Sequence, residues 1–126
     1  MIHRMNHFTI TAEDRDRTLG FYCGLLGLVE GHRPDLGFPG AWLYAPDTTH
    51  AILHIFWDRP MPGQRTGVID HMAFTASDLK TVKARFDAQG VACDLRQQAG
   101  SGTWQLFSVD PNGAKVELDF DASESL

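Results

Sequence analysis

The sequence predicts an α+β fold of two βαβββ modules, and three observations predict it. First, the chain repeats itself. The segment HFTITAEDRDRTLGFYCGLLGL from His7 and the segment HMAFTASDLKTVKARFDAQGV from His71 share His7 with His71, Thr11 with Thr75, Ala12 with Ala76 and Asp14 with Asp78, at one offset of 64 residues. The aromatics Tyr22 and Phe86 keep that offset. Second, ILHIF from Ile52 matches KVELDF from Lys115 at an offset of 63, so His54 falls opposite Glu117. Third, each copy switches from a period of two to a period near 3.6, then breaks into short apolar runs.

The elements follow in order. Phe8 and Ile10 point one way and His7, Thr9 and Thr11 the other, which is a half-buried strand. Leu19, Tyr22, Leu25 and Leu26 then form the apolar face of a helix that Gly27 stops. Apolar runs around Val29, from Trp42 to Ala45 and from Ala51 to Trp57, separated by Gly, Pro and Asp, give three strands. The second copy repeats this grammar. His71 to Thr75 is a strand, Ser77 is the expected N-cap, Leu79, Val82 and Phe86 line the helix, and Gly90 closes it. Runs at Val91 to Leu95, Trp104 to Val109 and Ala114 to Phe120 complete the three strands. Module 1 spans 1–58, a polar linker 59–66, and module 2 67–122. A module of about sixty residues buries too little surface alone, so the expectation is one domain over 1–126 in which a pseudo-twofold axis relates the modules.

Composition narrows the function classes. Of 126 residues, 43% are hydrophobic and 21% charged, an ordinary globular balance. The net charge of -5, with eleven basic residues scattered among sixteen acids, argues against nucleic acid or an acidic membrane as partner. Cys23 and Cys93 are too few and too far apart for a disulfide framework, and no apolar run is long enough to span a bilayer. The expectation is a soluble cytoplasmic protein whose partner is a small-molecule substrate.

The strand parities carry the chemistry. Glu117 shares a face with Lys115 and Asp119, and His71 with Ala73 and Thr75. Under the pseudo-twofold relation the polar faces of the first and last strands look into a common concavity, bringing together His7, His54, His71 and Glu117. Neutral imidazole and carboxylate suit a borderline divalent ion such as Fe(II), Mn(II), Ni(II), Co(II) or Zn(II), and an incomplete protein shell leaves positions for substrate. A lone strand histidine is more often a hydrogen-bonded or surface residue than a ligand. Here four ligand-type side chains at four equivalent positions would have to be four coincidences. His3, His32 and His50 lack that support. Trp42, Tyr44, Phe56, Trp104 and Phe107 sit on central strands and are the candidates to line a substrate pocket; Arg33 and Arg96 are strand-end cations able to hold a carboxylate, with a solvated surface role the first expectation.

The repeated module, the openings HFTI and HMAF, the helix end FYCGLLGL and the closing DPNGAKVELDF together resemble the vicinal oxygen chelate superfamily, over His7 to Phe120. That superfamily includes glyoxalase I, methylmalonyl-CoA epimerase, fosfomycin-resistance thiol transferases, bleomycin-resistance proteins and extradiol catechol dioxygenases. The resemblance implies paired modules closing into a half-barrel mixed sheet, a homodimer, and a divalent metal on the first and last strands that binds substrate through neighbouring oxygens. It carries His7, His71 and Glu117 across as ligands. At the His54 position glyoxalase I has a glutamate, whereas the extradiol enzymes combine a two-His, one-Glu triad with a separate proton-carrying histidine. The resemblance therefore places a ring-cleaving dioxygenase with Fe(II) or Mn(II) first, with His54 as a fourth ligand or as the catalytic acid-base group. A lyase or isomerase working by metal-assisted proton transfer is the alternative, with Ni, Co or Zn as its metal. A metal-free resistance-type binding protein comes third.

Overall fold

The computed structural model describes residues 1–126 and divides them into two compact units, Met1–Gly63 and Gln64–Leu126. Each is a four-stranded mixed sheet with helical cover. Unit 1 runs β1 (Phe8–Thr11), α1 (Arg15–Leu19) continuing into a π-helical stretch (Gly20–Leu25), β2 (Val29–Gly31), β3 (Gly40–Tyr44) and β4 (Ala51–Phe56). Unit 2 runs β5 (Met72–Thr75), α2 (Leu79–Ala88), β6 (Cys93–Gln97), β7 (Trp104–Val109) and β8 (Lys115–Phe120). The sheet orders are β1-β4-β3-β2 and β5-β8-β7-β6. The α+β, twice-repeated βαβββ architecture is therefore present. No helix is long and apolar enough to cross a membrane.

In both units the first strand pairs in parallel with the last, and the last pairs antiparallel with the third. A parallel neighbour needs a crossover, and the helix supplies it. Period two then sorts the side chains. In β4, Ala51, Leu53 and Ile55 are buried while Ile52, His54 and Phe56 are half-buried on the opposite face. The core of unit 1 joins Leu43, Leu53 and Ile55 to Phe21, Tyr22 and Leu25 of the helical segment; that of unit 2 joins Leu106, Val116 and Phe120 to Leu79 and Phe86. Full burial of a ring such as Phe86 stabilises by about 1.5–3 kcal/mol.

Three local features differ from the sequence expectation. The first helix is not uniformly α: Leu26 N–H reaches Phe21 O at 3.0 Å, a five-residue step. Gly20 and Gly24 sit in that stretch, and glycine's weak α preference offers little resistance to the wider turn. Gly27, at φ 85, still ends it. In the second helix the N-cap is Asp78 instead of Ser77. Asp78 is left-handed (φ 63), a conformation Asp tolerates better than most residues, and its side chain makes no cap bond. The Glu124 carboxylate takes over, accepting from Leu79 N–H at 2.6 Å. Third, Trp104 lies opposite Phe120 across β7 and β8, on the face away from Glu117, and donates its indole N–H to Glu124 O at 2.9 Å. It packs with the C-terminal segment, not with the polar face of the sheet.

Glu124 thus ties the chain end to both α2 and β7. Replacing Glu124 by Ala removes the acceptor at the first turn of α2 and is expected to lower unfolding free energy by roughly 1 kcal/mol, the usual cost of losing a helix cap. Urea unfolding measures it; an unchanged midpoint and slope would show that the cap bond contributes nothing.

Candidate metal and substrate faces

The strand registers place the four ligand-type residues in two equivalent pairs. In unit 1, Thr9 lies opposite His54, and His7 is two residues before Thr9 on the same face. In unit 2, Ala73 lies opposite Glu117, and His71 is two residues before Ala73. His54 and Glu117 therefore occupy the same place in their sheets. Across the antiparallel pair, Trp42 stands opposite His54 and Phe107 opposite Glu117.

In unit 1 these residues form a stack. The His54 ring lies between His7, at a centroid distance of 3.8 Å and an interplanar angle of 14°, and Trp42, at 4.3 Å and 11°. A protonated imidazole here would lose solvent and face like charge. Burial, followed by the neighbouring charges of His7, His50 and Arg33, pushes the His54 pKa from 6.5 down to about 4. His54 is neutral at pH 7, with a ring lone pair free to take a proton or a metal ion.

In unit 2 the pair is hydrogen-bonded. His71 Nε2 is 2.6 Å from Glu117 Oε2, and Gln105 donates its side-chain amide to the other oxygen, Oε1. Glu117 is only 4% exposed. Burial raises its pKa, helped by Asp119 two residues along and opposed by His71 and Gln105. Phe107 meets the His71 ring edge-on at 5.8 Å.

Residues that the sequence reading did not single out orient both histidines. His7 Nδ1 is 2.7 Å from Asn6 Oδ1, and His71 Nδ1 is 2.7 Å from Asp70 Oδ1. Asp70 is itself held by Lys115 Nζ at 3.2 Å. An acceptor at Nδ1 favours a proton there, which would leave Nε2 of His7 with its lone pair, whereas His71 has a carboxylate oxygen at each ring nitrogen. The clue was in the repeat: Asn6 and Asp70 fall at the same offset of 64 as the histidines they hold.

The donor set fits a divalent cation. With Nδ1–H donated to Asp70, both His71 Nε2 and Glu117 Oε2 are acceptors, so at 2.6 Å a proton must be shared between them. A cation bound by both groups would take the place of that proton, with the pair opening to about 3 Å to admit it. The structure gathers no group of three or more His, Cys, Asp or Glu side chains that could hold a metal ion. His50 donates its Nε2–H to Asn6 O at 2.8 Å.

The aromatic candidates separate. Trp42 and Phe56 share the His54 face. Tyr44 leans over Gly31, where a Cβ would meet its ring at 2.7 Å, and donates its hydroxyl to His32 O at 2.6 Å. It borders an open cavity of about 550 Å³ formed with Val29 and residues 45–49. Phe107 lines a second cavity, about 410 Å³, with Arg96 and Lys115. Arg96 and Lys115 both lie over the Phe107 ring, at 4.5 and 5.1 Å. Trp104 belongs to neither.

Two βαβββ units, with His7 equivalent to His71 and His54 equivalent to Glu117, define the class of paired-module α+β domains. The chain belongs to the Glyoxalase/Bleomycin resistance protein/Dioxygenase superfamily, whose family model matches residues 4–118. It is 26% identical over 120 residues to "Glyoxylase I 4" of Arabidopsis thaliana, covering 90% of this chain and 68% of that protein. It is 28% identical over 120 residues to glutathione transferase FosA of Serratia marcescens, covering 94% and 81%. Among solved structures, the glyoxalase family protein from Enterococcus faecalis superposes with a TM-score of 0.65 at 27% identity, covering 92% of this chain and 96% of that one.

The His54 environment has a consequence for acid stability. With a native pKa near 4 and an unfolded value of 6.5, the unfolded chain binds more protons at His54 between those limits. Stability falls as pH drops from 6.5 towards 4. In metal-free protein, His54→Phe keeps a stacking ring and removes the titration, so its urea midpoint is expected to fall less than the wild type's between pH 7 and 5. Parallel pH profiles for the two proteins would contradict the assignment.

Proposed function

We propose that the protein is a metal-dependent enzyme in which His7 Nε2, His71 Nε2 and Glu117 hold one divalent cation and neutral His54 moves a proton on a small substrate bound beside it. One observation carries the reading: both module-opening histidines have Nδ1 occupied by a preceding side chain, so each turns Nε2 towards its last strand, His71 Nε2 lying against the Glu117 carboxylate. A bound divalent cation would polarise a substrate oxygen and lower the pKa of an adjacent C–H or O–H group. The chain's own residues do the rest. His54, held flat by His7 and Trp42, offers a neutral ring nitrogen as base and returns the proton as acid. Trp42 and Phe56 give the substrate an apolar wall on the same face, and Phe107 plays the matching part beside Glu117.

Among the reactions considered, proton transfer next to a metal-bound oxygen, as in lyases and isomerases, now stands ahead of ring cleavage. The neutral base favours it, and the named relatives are a glyoxylase and a glutathione transferase. Nothing in those relatives indicates the ring-cleaving dioxygenation that the family resemblance placed first. Mn(II), Fe(II), Ni(II), Co(II) and Zn(II) all suit two imidazoles and a carboxylate. A homodimer acting on a small molecule completes the proposal; sedimentation equilibrium tests it against the 14.0 kDa chain mass.

Metal content by mass spectrometry and turnover over a panel of 2-oxo-aldehyde hemithioacetals and epoxides separate the roles. His7→Ala, His71→Ala and Glu117→Ala are each expected to lower divalent-ion affinity at least tenfold. His54→Ala is expected to retain the ion and lose about 10²–10⁴ in kcat, the usual contribution of a positioned acid-base group. Loss of the ion from His54→Ala would make it a ligand. Oxygen uptake with a catechol would restore the dioxygenase reading.

A further inference from the structure

A second cluster lies on the His54 face of unit 1 and involves none of the metal-type residues. Phe38 and Phe56 meet edge-to-face at 5.4 Å and 83°. Two guanidinium groups cover them. Arg33 Cζ is 4.9 Å from the Phe38 ring centre, and Arg59 Cζ is 4.9 Å from Phe38 and 4.2 Å from Phe56. Neither arginine has a carboxylate within ion-pair distance. The nearest acid in sequence to Arg33, Asp35, spends its Oδ1 on Gly37 N–H. Two cations on one ring, both without a counter-ion, repel each other in a partly dry setting.

Arg33 is also built into the sheet. Gly40, opposite Phe56 at the start of β3, has no side chain, and a Cβ there would sit 2.8 Å from Arg33 Nη2 and 2.9 Å from its Cζ. The guanidinium thus occupies the space a side chain would fill on the face that carries Trp42 and His54. Its Nη2 is buried and makes no hydrogen bond. A buried donor on a charged group costs free energy unless something accepts from it. Its charge also reaches His54, where it is one cause of the lowered pKa.

We infer that Arg33 and Arg59 form an anion subsite that takes a carboxylate carried on an apolar body, with Phe38 and Phe56 as the surface for that body. A guanidinium presents parallel N–H donors that match the two oxygens of a carboxylate, and two of them supply both charge and direction. The subsite deepens the proposed function, since it names the anchor of a substrate whose other end would lie beside His54. It rests on that reading for the substrate's fate, but not for binding.

The test uses metal-free protein in EDTA, with benzoate as the probe and benzyl alcohol as its neutral counterpart, followed by calorimetry and Trp fluorescence. Benzoate is expected to bind wild type, to weaken with added salt, and to weaken about tenfold in Arg59→Gln and at least as much in Arg33→Gln; benzyl alcohol should not distinguish them. Arg59 is exposed, so its variant keeps the fold even if Arg33→Gln does not, and circular dichroism checks both. No benzoate binding to wild type, or equal binding to wild type and Arg59→Gln, overturns the subsite. Mn(II) uptake on the same proteins reads the metal proposal separately. Benzoate binding without Mn(II) uptake sinks that proposal and supports this one.

Discussion

The parallel pairing of the first strand with the last is the constraint from which the site follows. It fixes Thr9 opposite His54 and Ala73 opposite Glu117. Because side chains alternate along a strand, the histidine two residues earlier must share a face with that partner. A slip of one residue would turn His54 or Glu117 into the core. The crossover helix secures the register by burying Phe21, Tyr22 and Leu25 in one unit and Leu79 and Phe86 in the other. The same core that stabilises each unit therefore also aims its polar pair.

What differs between the two units is the member placed on the last strand. Glu117 is a buried carboxylate with a raised pKa, paired with His71 and propped by Gln105. His54 is a neutral imidazole clamped between flat rings. Equivalent positions thus present a carboxyl group and a neutral imidazole.

Much of this was legible in the residues. The offset of 64 identified the modules, and strand alternation put His7, His54, His71 and Glu117 on the polar faces. Trp104 shows the limit of using composition over parity: it is aromatic and central, but it alternates with Gln105 and so faces away from Glu117. The cap of α2 was unreadable because its acceptor, Glu124, lies 45 residues downstream of Leu79. The π-helical stretch depends on how Phe21 and Tyr22 pack, which no local spacing reveals. Arg33 looked solvated because its pocket is made by an absence, the missing side chain of Gly40. Asn6 and Asp70 were visible in the repeat, but their role needed the 2.7 Å contacts to Nδ1.

The central claim is that His7 and His71 are oriented to coordinate through Nε2. Long-range ¹H–¹⁵N spectra of the histidine rings, recorded with and without Zn(II), test it most directly. The account predicts that Nδ1 of both rings stays protonated throughout and that both Nε2 signals move to the metal-bound range at one equivalent. Unchanged ring nitrogens, or coordination through Nδ1, would contradict it.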